Sequence, residues 1–423
     1  MPNAARYLVA IASTAVMLAV GVAIAGTLLF RATVRDTATS LYPSSRAPAA
    51  WTTTWQRDAP AAFRSALVTR DGPAPPQLVG DTVYALGSDR RVHAIDARTG
   101  VPQWQFGYED RRRIFNFRAT PGPLVLLVRG TDPASGLASS EVVGMEPGAS
   151  LPAWDTPLNA DVFTASFGTD GTYAYVAVAD NVDGGQYRTL HPAASLHPRV
   201  RAYGVADGVL RWEQPLPERT DTPPVDAVAL TVADRQVVAT QSAAGSAVSV
   251  VALDAAHGQV LWPPLFGAQV LGTSQGELVV GTGSDLSLVN PATGRAYSRL
   301  PSLAPAGSDA TSVDGTVLYW TGSDQVTAVD LAGGRRLWST PLDRPTVELR
   351  SDQWAMRPPA VQGGVLYLGG GDQQTYAIDV RTGTVEWKFP AARAPDGPNY
   401  PPLRVGSLVL VQDDQLIAYE APS

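Results

Sequence analysis

The sequence predicts an all-β fold: a β-propeller of eight four-stranded blades, or seven if one short repeat is not independent, preceded by a single transmembrane helix. Three observations carry this reading. A motif recurs along the chain. Glycine and proline, 39 and 35 in 423 residues, make up about 17 % against an ordinary ~12 %. One copy of the motif is split between the two ends of the chain.

Composition sets the first limits. With 45 % hydrophobic and 17 % charged residues the chain can bury a core, and its turn residues favour many short strands. A net charge of −7 and a pI near 5.2 leave no basic field for a nucleic-acid backbone, so none is expected as a partner. The absence of cysteine excludes disulfides, thiolate metal sites, cysteine nucleophiles and a lipid-modified N-terminal cysteine.

Residues 1–6 form a short stub. The run Tyr7 to Phe30 is uncharged and mostly apolar; as a helix it extends about 36 Å, enough to cross a ~30 Å hydrocarbon core. Ala23-Ile24-Ala25 resembles a signal-peptide cleavage site, but the apolar run continues through Thr27 to Phe30, so an uncleaved anchor is expected. Arg6 on one side and Arg31, Arg35 and Asp36 on the other leave its orientation open on charge alone. Residues 31–50 read as a flexible linker spanning about 25 Å. Residues 51–423 are the propeller.

The segment "VHAIDARTGVPQWQF" (Val92 to Phe106) returns as "VVALDAAHGQVLW", "VTAVDLAGGRRLW" and "TYAIDVRTGTVEWKF", with degenerate copies "VRAYGVADGVLRW", "VVGMEPGASLPAW" and "LSLVNPATGRAYS". In all seven an acidic-type and a tryptophan-type position lie eight apart: Asp96/Trp104, Glu146/Trp154, Gly204/Trp212, Asp254/Trp262, Asn290/Ser298, Asp330/Trp338 and Asp379/Trp387. Each unit reads as a hairpin. Alternation gives a strand, the carboxylate or amide folds back on turn N–H groups, and glycine supplies positive φ before the next strand. With two further strands upstream, four strands per ~47 residues match a propeller blade. The seven-bladed alternative follows if the unit around Gly294 is not independent.

The chain ends in "DQLIAYEAPS", the first half of the motif, with Glu420 in the acidic slot. Its missing half is at the other end, where Trp55 precedes Trp104 by an ordinary repeat interval. A strand over about Thr52 to Arg57 should therefore complete the last blade and hide two sheet edges. Trp55, Trp104, Trp154, Trp212, Trp262, Trp338 and Trp387 are expected to pack between blades rather than to stack on a substrate.

The repeat "A-[IVL]-D-x-x-T-G-x-x-x-W" resembles the pyrroloquinoline-quinone-like propeller repeat over nearly all of residues 51–423. The resemblance implies the fold more strongly than any activity. Quinoprotein dehydrogenases of that superfamily use a vicinal cysteine pair, which this chain cannot form. The chain is also similar to the eight-bladed lipoprotein scaffold of the outer-membrane β-barrel assembly machine, but lacks the cysteine for lipidation. In its stub, apolar run, linker and Lys-poor propeller, with Lys388 the lone lysine, it further resembles single-pass periplasmic propellers of mycolic-acid bacteria that work with the trehalose monomycolate exporter.

These resemblances imply a non-enzymatic, membrane-anchored scaffold of the cell envelope with the propeller outside the cytoplasm. Its partners would be an envelope complex or lipid transporter and a mycolate glycolipid, with no cofactor. The alternatives are a quinone-dependent oxidoreductase and a protein-only scaffold.

In a propeller the first-to-second and third-to-fourth connections lie on one face, the second-to-third and interblade connections on the other. The repeat's turns belong to the first set and are short. The long segments, 108–113, 131–140, 181–198, 216–224, 343–359 and 391–402, belong to the second, which is therefore the expected binding face. Within it "YEDRRRIFNFR" (Tyr108 to Arg118) offers Arg111, Arg113, Asn116 and Arg118 to an anionic ligand, with Arg113 or Arg118 directed at the central channel; its plain alternative is a solvated loop paired to Glu109 and Asp110. "LRSDQWAMRPP" offers Arg350, Trp354, Met356 and Arg357 to an amphiphile. Tyr187 and Tyr400 lie in the other long loops. His191 and His197 lack a nearby carboxylate and read as surface residues, not metal ligands. The Gly-Ser-Asp turns at Asp89, Asp285 and Asp324 read as hairpin turns, not calcium sites. No catalytic residue is expected.

Overall fold

The computed structural model describes residues 53–57, 76–131, 138–158, 161–179, 197–217, 225–300, 310–321, 325–342, 359–369, 374–390 and 403–420, apart from 88, 111, 226, 234, 244–245, 407 and 413–415. Every element in these residues is a strand, β1 to β32 in chain order. The strands form eight four-stranded antiparallel sheets.

Strand β1 (Thr53–Arg57) is set apart from the strands that follow it. Sheet I holds β2 (Gln77–Val79), β3 (Thr82–Leu86), β4 (Val92–Asp96) and β5 (Pro102–Phe106). Sheet II holds β6 (Arg113–Arg118), β7 (Leu124–Thr131), β8 (Ala138–Met145) and β9 (Trp154–Pro157). Sheet III holds β10 (Asp161–Thr169), β11 (Tyr173–Ala179), β12 (Arg199–Gly204) and β13 (Leu210–Pro215). Sheet IV holds β14 (Ala227–Ala233), β15 (Gln236–Ala243), β16 (Ser246–Asp254) and β17 (Leu265–Phe266). Sheet V, around Gly294, holds β18 (Ala268–Ser274), β19 (Glu277–Thr282), β20 (Asp285–Val289) and β21 (Ala296–Leu300). Sheet VI holds β22 (Ala310–Asp314), β23 (Val317–Thr321), β24 (Gln325–Asp330) and β25 (Arg335–Pro341), and sheet VII β26 (Ala360–Gln362), β27 (Val365–Gly369), β28 (Gln374–Asp379) and β29 (Val385–Pro390). These seven are blades of four consecutive strands. The last sheet joins β30 (Leu403–Val405), β31 (Leu408–Gln412) and β32 (Leu416–Glu420) to β1, which pairs with β32 and sets Trp55 opposite Ala418.

Alternation of side chains along each strand packs both faces of a sheet against neighbours. In β7, Leu124, Leu126 and Val128 join the core shared with sheet I, while Val125 and Leu127 join that shared with sheet III. Val83 of β3 packs with Leu408, Leu410 and Ala418, while Tyr84 beside it packs toward sheet II. Similar cores join III to IV, IV to V, V to VI and VI to VII. Between VII and the last sheet, Gln362 accepts a hydrogen bond from the Arg404 backbone N–H. The sheets thus succeed one another as an all-β propeller.

The recurrent motif is an interlock between consecutive sheets. Asp96 Oδ1 accepts bonds from Arg98 N (3.1 Å), Thr99 N (2.8 Å) and Thr99 Oγ1 (2.7 Å). Asp379 and Asn290 repeat the arrangement with Thr382 and Thr293. At Gly204, which has no side chain, Asp207 supplies the carboxylate and accepts Val209 N at 3.1 Å. The tryptophan eight residues on reaches the next sheet. Trp154, Trp212, Trp262 and Trp338 donate Nε1–H to the carbonyls of Val205, Ala255, Pro291 and Val380, each one residue past that sheet's acidic slot.

The same indoles lie over the turn glycines. A Cβ at Gly258, whose φ is +73°, would stand 2.5 Å from Trp212 Cε3, so glycine is required there for both backbone and space. Within each sheet the tryptophan stands opposite a small residue: Ala94 for Trp104, Gly144 for Trp154, Ala202 for Trp212, Ala328 for Trp338. Sheet V inverts the pair, with Ser298 opposite Leu288, and Leu300 rather than an indole covers Gly334 of the next turn.

Candidate functional site

The strand order places the segment from Tyr108 to Arg118 across sheet II from one face to the other. Tyr108 to Arg112 link sheets I and II on the long-loop face, and β6 then runs to the short-turn face. Arg113 and Arg118, at opposite ends of a six-residue strand, are separated by about 17 Å of extended chain. The structure does not bring these two arginines together.

Arg112 is committed locally. Its guanidinium stacks on the Tyr108 ring at 4.1 Å, bonds Asp110 Oδ2 at 2.9 Å and stands 3.8 Å from Glu141 Oε2. Glu109 pairs instead with Arg91. Burial pushes the Tyr108 phenol up to about 12, only partly opposed by the Arg112 charge, and burial also raises the Glu141 carboxyl. Tyr108 Oη and Glu141 Oε2 have no hydrogen-bond partner among the described residues.

Arg113 is exposed and forms no ion pair among the described residues. Across the β6–β7 ladder it stands opposite Arg129, whose guanidinium lies 4.4 Å from the Phe115 ring. Like charges directly opposite on a sheet repel. Arg90, in the second-to-third turn of sheet I, brings a third cation to this face. Burial and the neighbouring Arg113 charge hold its guanidinium below the ordinary value, and its φ of +61° is one that a side-chain-bearing residue rarely adopts. Asp89 next to it makes its direct contacts elsewhere: its carboxylate accepts Arg91 N at 3.0 Å and meets His93 Nε2 at 3.1 Å. Sheet III shows the contrasting arrangement, where Glu213 pairs with both Arg199 and Arg201.

Asn116 is buried, and its Oδ1 accepts Phe117 N (2.8 Å) and Arg118 Nη1 (3.0 Å). Arg118 also donates to Phe117 O at 2.9 Å and lies 5.5 Å from the Phe167 ring of sheet III. Desolvation alone lowers its guanidinium to about 10. Sequence reasoning placed Asn116 and Arg118 in the candidate set; the structure puts them between sheets II and III, at the end of β6 remote from Arg113. Arg111, Tyr187, Arg350, Trp354, Met356, Arg357 and Tyr400 lie outside the described residues, as do His191, Asp324 and the side chains of Trp55 and Trp387.

Arg90 and Arg129 were missed. "GSDRRV" lies between β3 and β4, so its position in the blade was the available signal for Arg90; nothing in the sequence showed that Arg129 would stand opposite Arg113. The Gly-Ser-Asp turns serve hairpin contacts: Asp285 bonds Arg299 Nε at 2.9 Å across its own sheet. Among the described residues no group of three His, Cys, Asp or Glu is placed to hold a metal, and no helix is long and apolar enough to cross a membrane.

The family described as outer membrane protein assembly factor BamB, a PQQ-type repeat family, matches residues 11–189 and 282–422. Among solved structures, BamB from Moraxella catarrhalis aligns with a TM-score of 0.53 and 14 % identity over 88 % of this chain and 100 % of that one. Quinohemoprotein alcohol dehydrogenase from Comamonas testosteroni aligns with a TM-score of 0.58 and 11 % identity, over 88 % of this chain and 77 % of that one. Sqt1 from Saccharomyces cerevisiae aligns with a TM-score of 0.54 and 12 % identity, over 88 % and 99 %. At these identities the likeness is one of fold. No curated protein matches the chain significantly in sequence.

Proposed function

The chain belongs to the PQQ-repeat family described as outer membrane protein assembly factor BamB, and from that premise we propose that it is a non-enzymatic, membrane-anchored binding scaffold of the bacterial cell envelope. In this reading the sheet completed by β1 is an eighth blade, residues 7–30 anchor the chain, and the propeller works outside the cytoplasm as a partner of a transport or assembly complex. The observation that carries it is the Arg90–Arg113–Arg129 group on the long-loop face. Arg113 is exposed, has no carboxylate of its own among the described residues, stands opposite Arg129 and lies within the field of Arg90. Folding gains no ion pair for Arg113 among the described residues, whereas an acidic partner surface would relieve the repulsion there.

The finer form of the proposal is trafficking of a mycolate glycolipid such as trehalose monomycolate, with a lipid transporter as the protein partner. What supports it is the layout of stub, apolar run, linker and Lys-poor propeller, together with the amphiphilic composition of Leu349 to Pro359. The lack of cysteine removes the vicinal pair that quinoprotein dehydrogenases use.

The test is to extract the full-length protein in detergent, identify co-purifying lipid by mass spectrometry and protein partners by crosslinking, and repeat both with Arg90→Glu/Arg113→Glu. Capture of an envelope complex that the double variant loses is the expected result. A mycolate glycolipid in the extract supports the finer reading, and protein alone reduces it to the scaffold. Undiminished capture by the variant overturns the site. Quinone absorbance after reconstitution with pyrroloquinoline quinone and calcium, coupled to alcohol oxidation, overturns the non-enzymatic reading.

A further inference from the structure

Large apolar side chains exposed among the described residues are concentrated at one structural position. Of eight, seven lie at or just after the third-to-fourth turn, where the chain enters the outermost strand: Val101, Leu151, Val209, Val260, Tyr297 and Leu337 represent sheets I to VI in turn, and sheet III adds a second. Leu151 is 75 % exposed and Tyr297 55 %. A single exposed apolar residue is ordinary. Recurrence within three residues of the turn glycine in six successive sheets is not, because these positions need no apolar side chain to complete the interlock. The eighth, Phe266, stands at the other end of its strand, opposite Ser249 near the start of β16.

The chain enters the propeller at this same rim. Thr53 begins β1 opposite Tyr419, one residue before Glu420 ends β32 in the slot that leads, in other sheets, to the short third-to-fourth turn. The apolar run Tyr7 to Phe30 is therefore joined, through residues 31–52, to the outer edge of the short-turn face. On the anchor reading, residues 31–50 are a linker and give that connection a reach of about 25 Å. Exposed arginines accompany the apolar side chains there: Arg98, Arg335 and Arg381 have side chains 68 %, 75 % and 85 % exposed.

We propose that the short-turn rim of the propeller rests on a lipid surface, its apolar side chains entering the headgroup layer beside these arginines, with the long-loop face turned away from the membrane. The inference rests on the anchor reading above and goes beyond it by assigning the face. A lipid surface suits this arrangement better than a protein partner does. Apolar side chains spaced one per sheet around a rim do not make the contiguous patch that a protein interface core requires, but each can insert separately between lipid headgroups. Arginine and tyrosine suit that layer because their stems or rings are apolar and their tips polar.

The absence of cysteine allows a direct test. Leu151→Cys, Tyr297→Cys, Leu337→Cys and, as the control on the opposite face, Phe266→Cys are each made in the full chain and labelled with an environment-sensitive fluorophore. Each is reconstituted into phosphatidylethanolamine/phosphatidylglycerol vesicles with or without headgroup-level quencher lipids. The expected result is a roughly twofold or greater loss of emission at the three rim positions and little change at Phe266, as shallow interfacial insertion requires. Protein that floats with the vesicles but shows unquenched rim labels, or equal quenching at Phe266, overturns the proposal alone. Protein that does not float overturns the anchor reading and the proposal with it.

Discussion

The two faces of the propeller use polar groups in opposite ways. On the short-turn face, Asp96, Asp254, Asn290, Asp330 and Asp379 accept backbone N–H groups of their own turns, and the motif indoles donate to the next sheet's carbonyls. On the long-loop face, Arg113 faces Arg129 across the ladder and Arg90 nearby, while Tyr108 Oη and Glu141 Oε2, on half-buried side chains, accept or donate no hydrogen bond among the described residues. Groups that complete the repeat stabilise the fold. Arg113, which escapes it and forms no ion pair among the described residues, is the group available to a partner.

The largest expected effect separates the faces by stability. Trp212 is buried, donates to Ala255 O at 3.0 Å, packs near Tyr175 and covers Gly258. Trp212→Ala should cost about 3 to 5 kcal/mol, read as a fall in the denaturant midpoint with unchanged slope. Arg113→Ala should leave stability within about 0.5 kcal/mol. If the two variants unfold alike, the division between structural and available groups is wrong.

A smaller effect of opposite sign is expected at Arg90. Its backbone sits at φ +61° beside a like charge, on the face where binding is proposed. Arg90→Gly removes both penalties and should stabilise the protein by about 1 kcal/mol while weakening partner capture. Stabilisation with undiminished capture would retain the strain and detach Arg90 from the site. Loss of stability would show that its side chain contributes more to the turn than the backbone conformation costs.

How much could be read beforehand follows the same division. The eight-residue spacing from Asp96 to Trp104 and its copies located the turns, the interblade indoles and the pairing of the chain's two ends, because each depends on residues close in sequence or on a repeated register. The unit around Gly294 forms a sheet of its own, since Leu288 and Leu300 take over volume that an alanine–tryptophan pair and an indole occupy elsewhere. The arginine group was legible only at Arg113. Its neighbours come from another strand and another sheet, and Arg118, five residues away in sequence, stands at the far end of β6 between sheets, a consequence of strand direction that composition cannot convey.

The smallest effect concerns the turn carboxylates and acid. Hydrogen bonds from Thr99 hold the Asp96 carboxyl below the usual carboxylate range, and the backbone bond from Thr382 does the same for Asp379. A carboxylate whose folded pKa is depressed contributes stability that is present above about pH 4 and is lost as pH falls through the depressed value. Sheet V has already made the neutral substitution: Asn290 accepts Ala292 N, Thr293 N and Thr293 Oγ1 at 3.1, 3.0 and 3.1 Å, the same set that Asp379 accepts from Arg381 and Thr382. Asp379→Asn should therefore change the melting temperature little at pH 7 and show a shallower fall than the parent protein as pH drops below about 4. A parallel fall in both would mean that the turn is held by its amide geometry alone, with the charge contributing nothing, and the short-turn face would then owe its stability to the indole–glycine interlock.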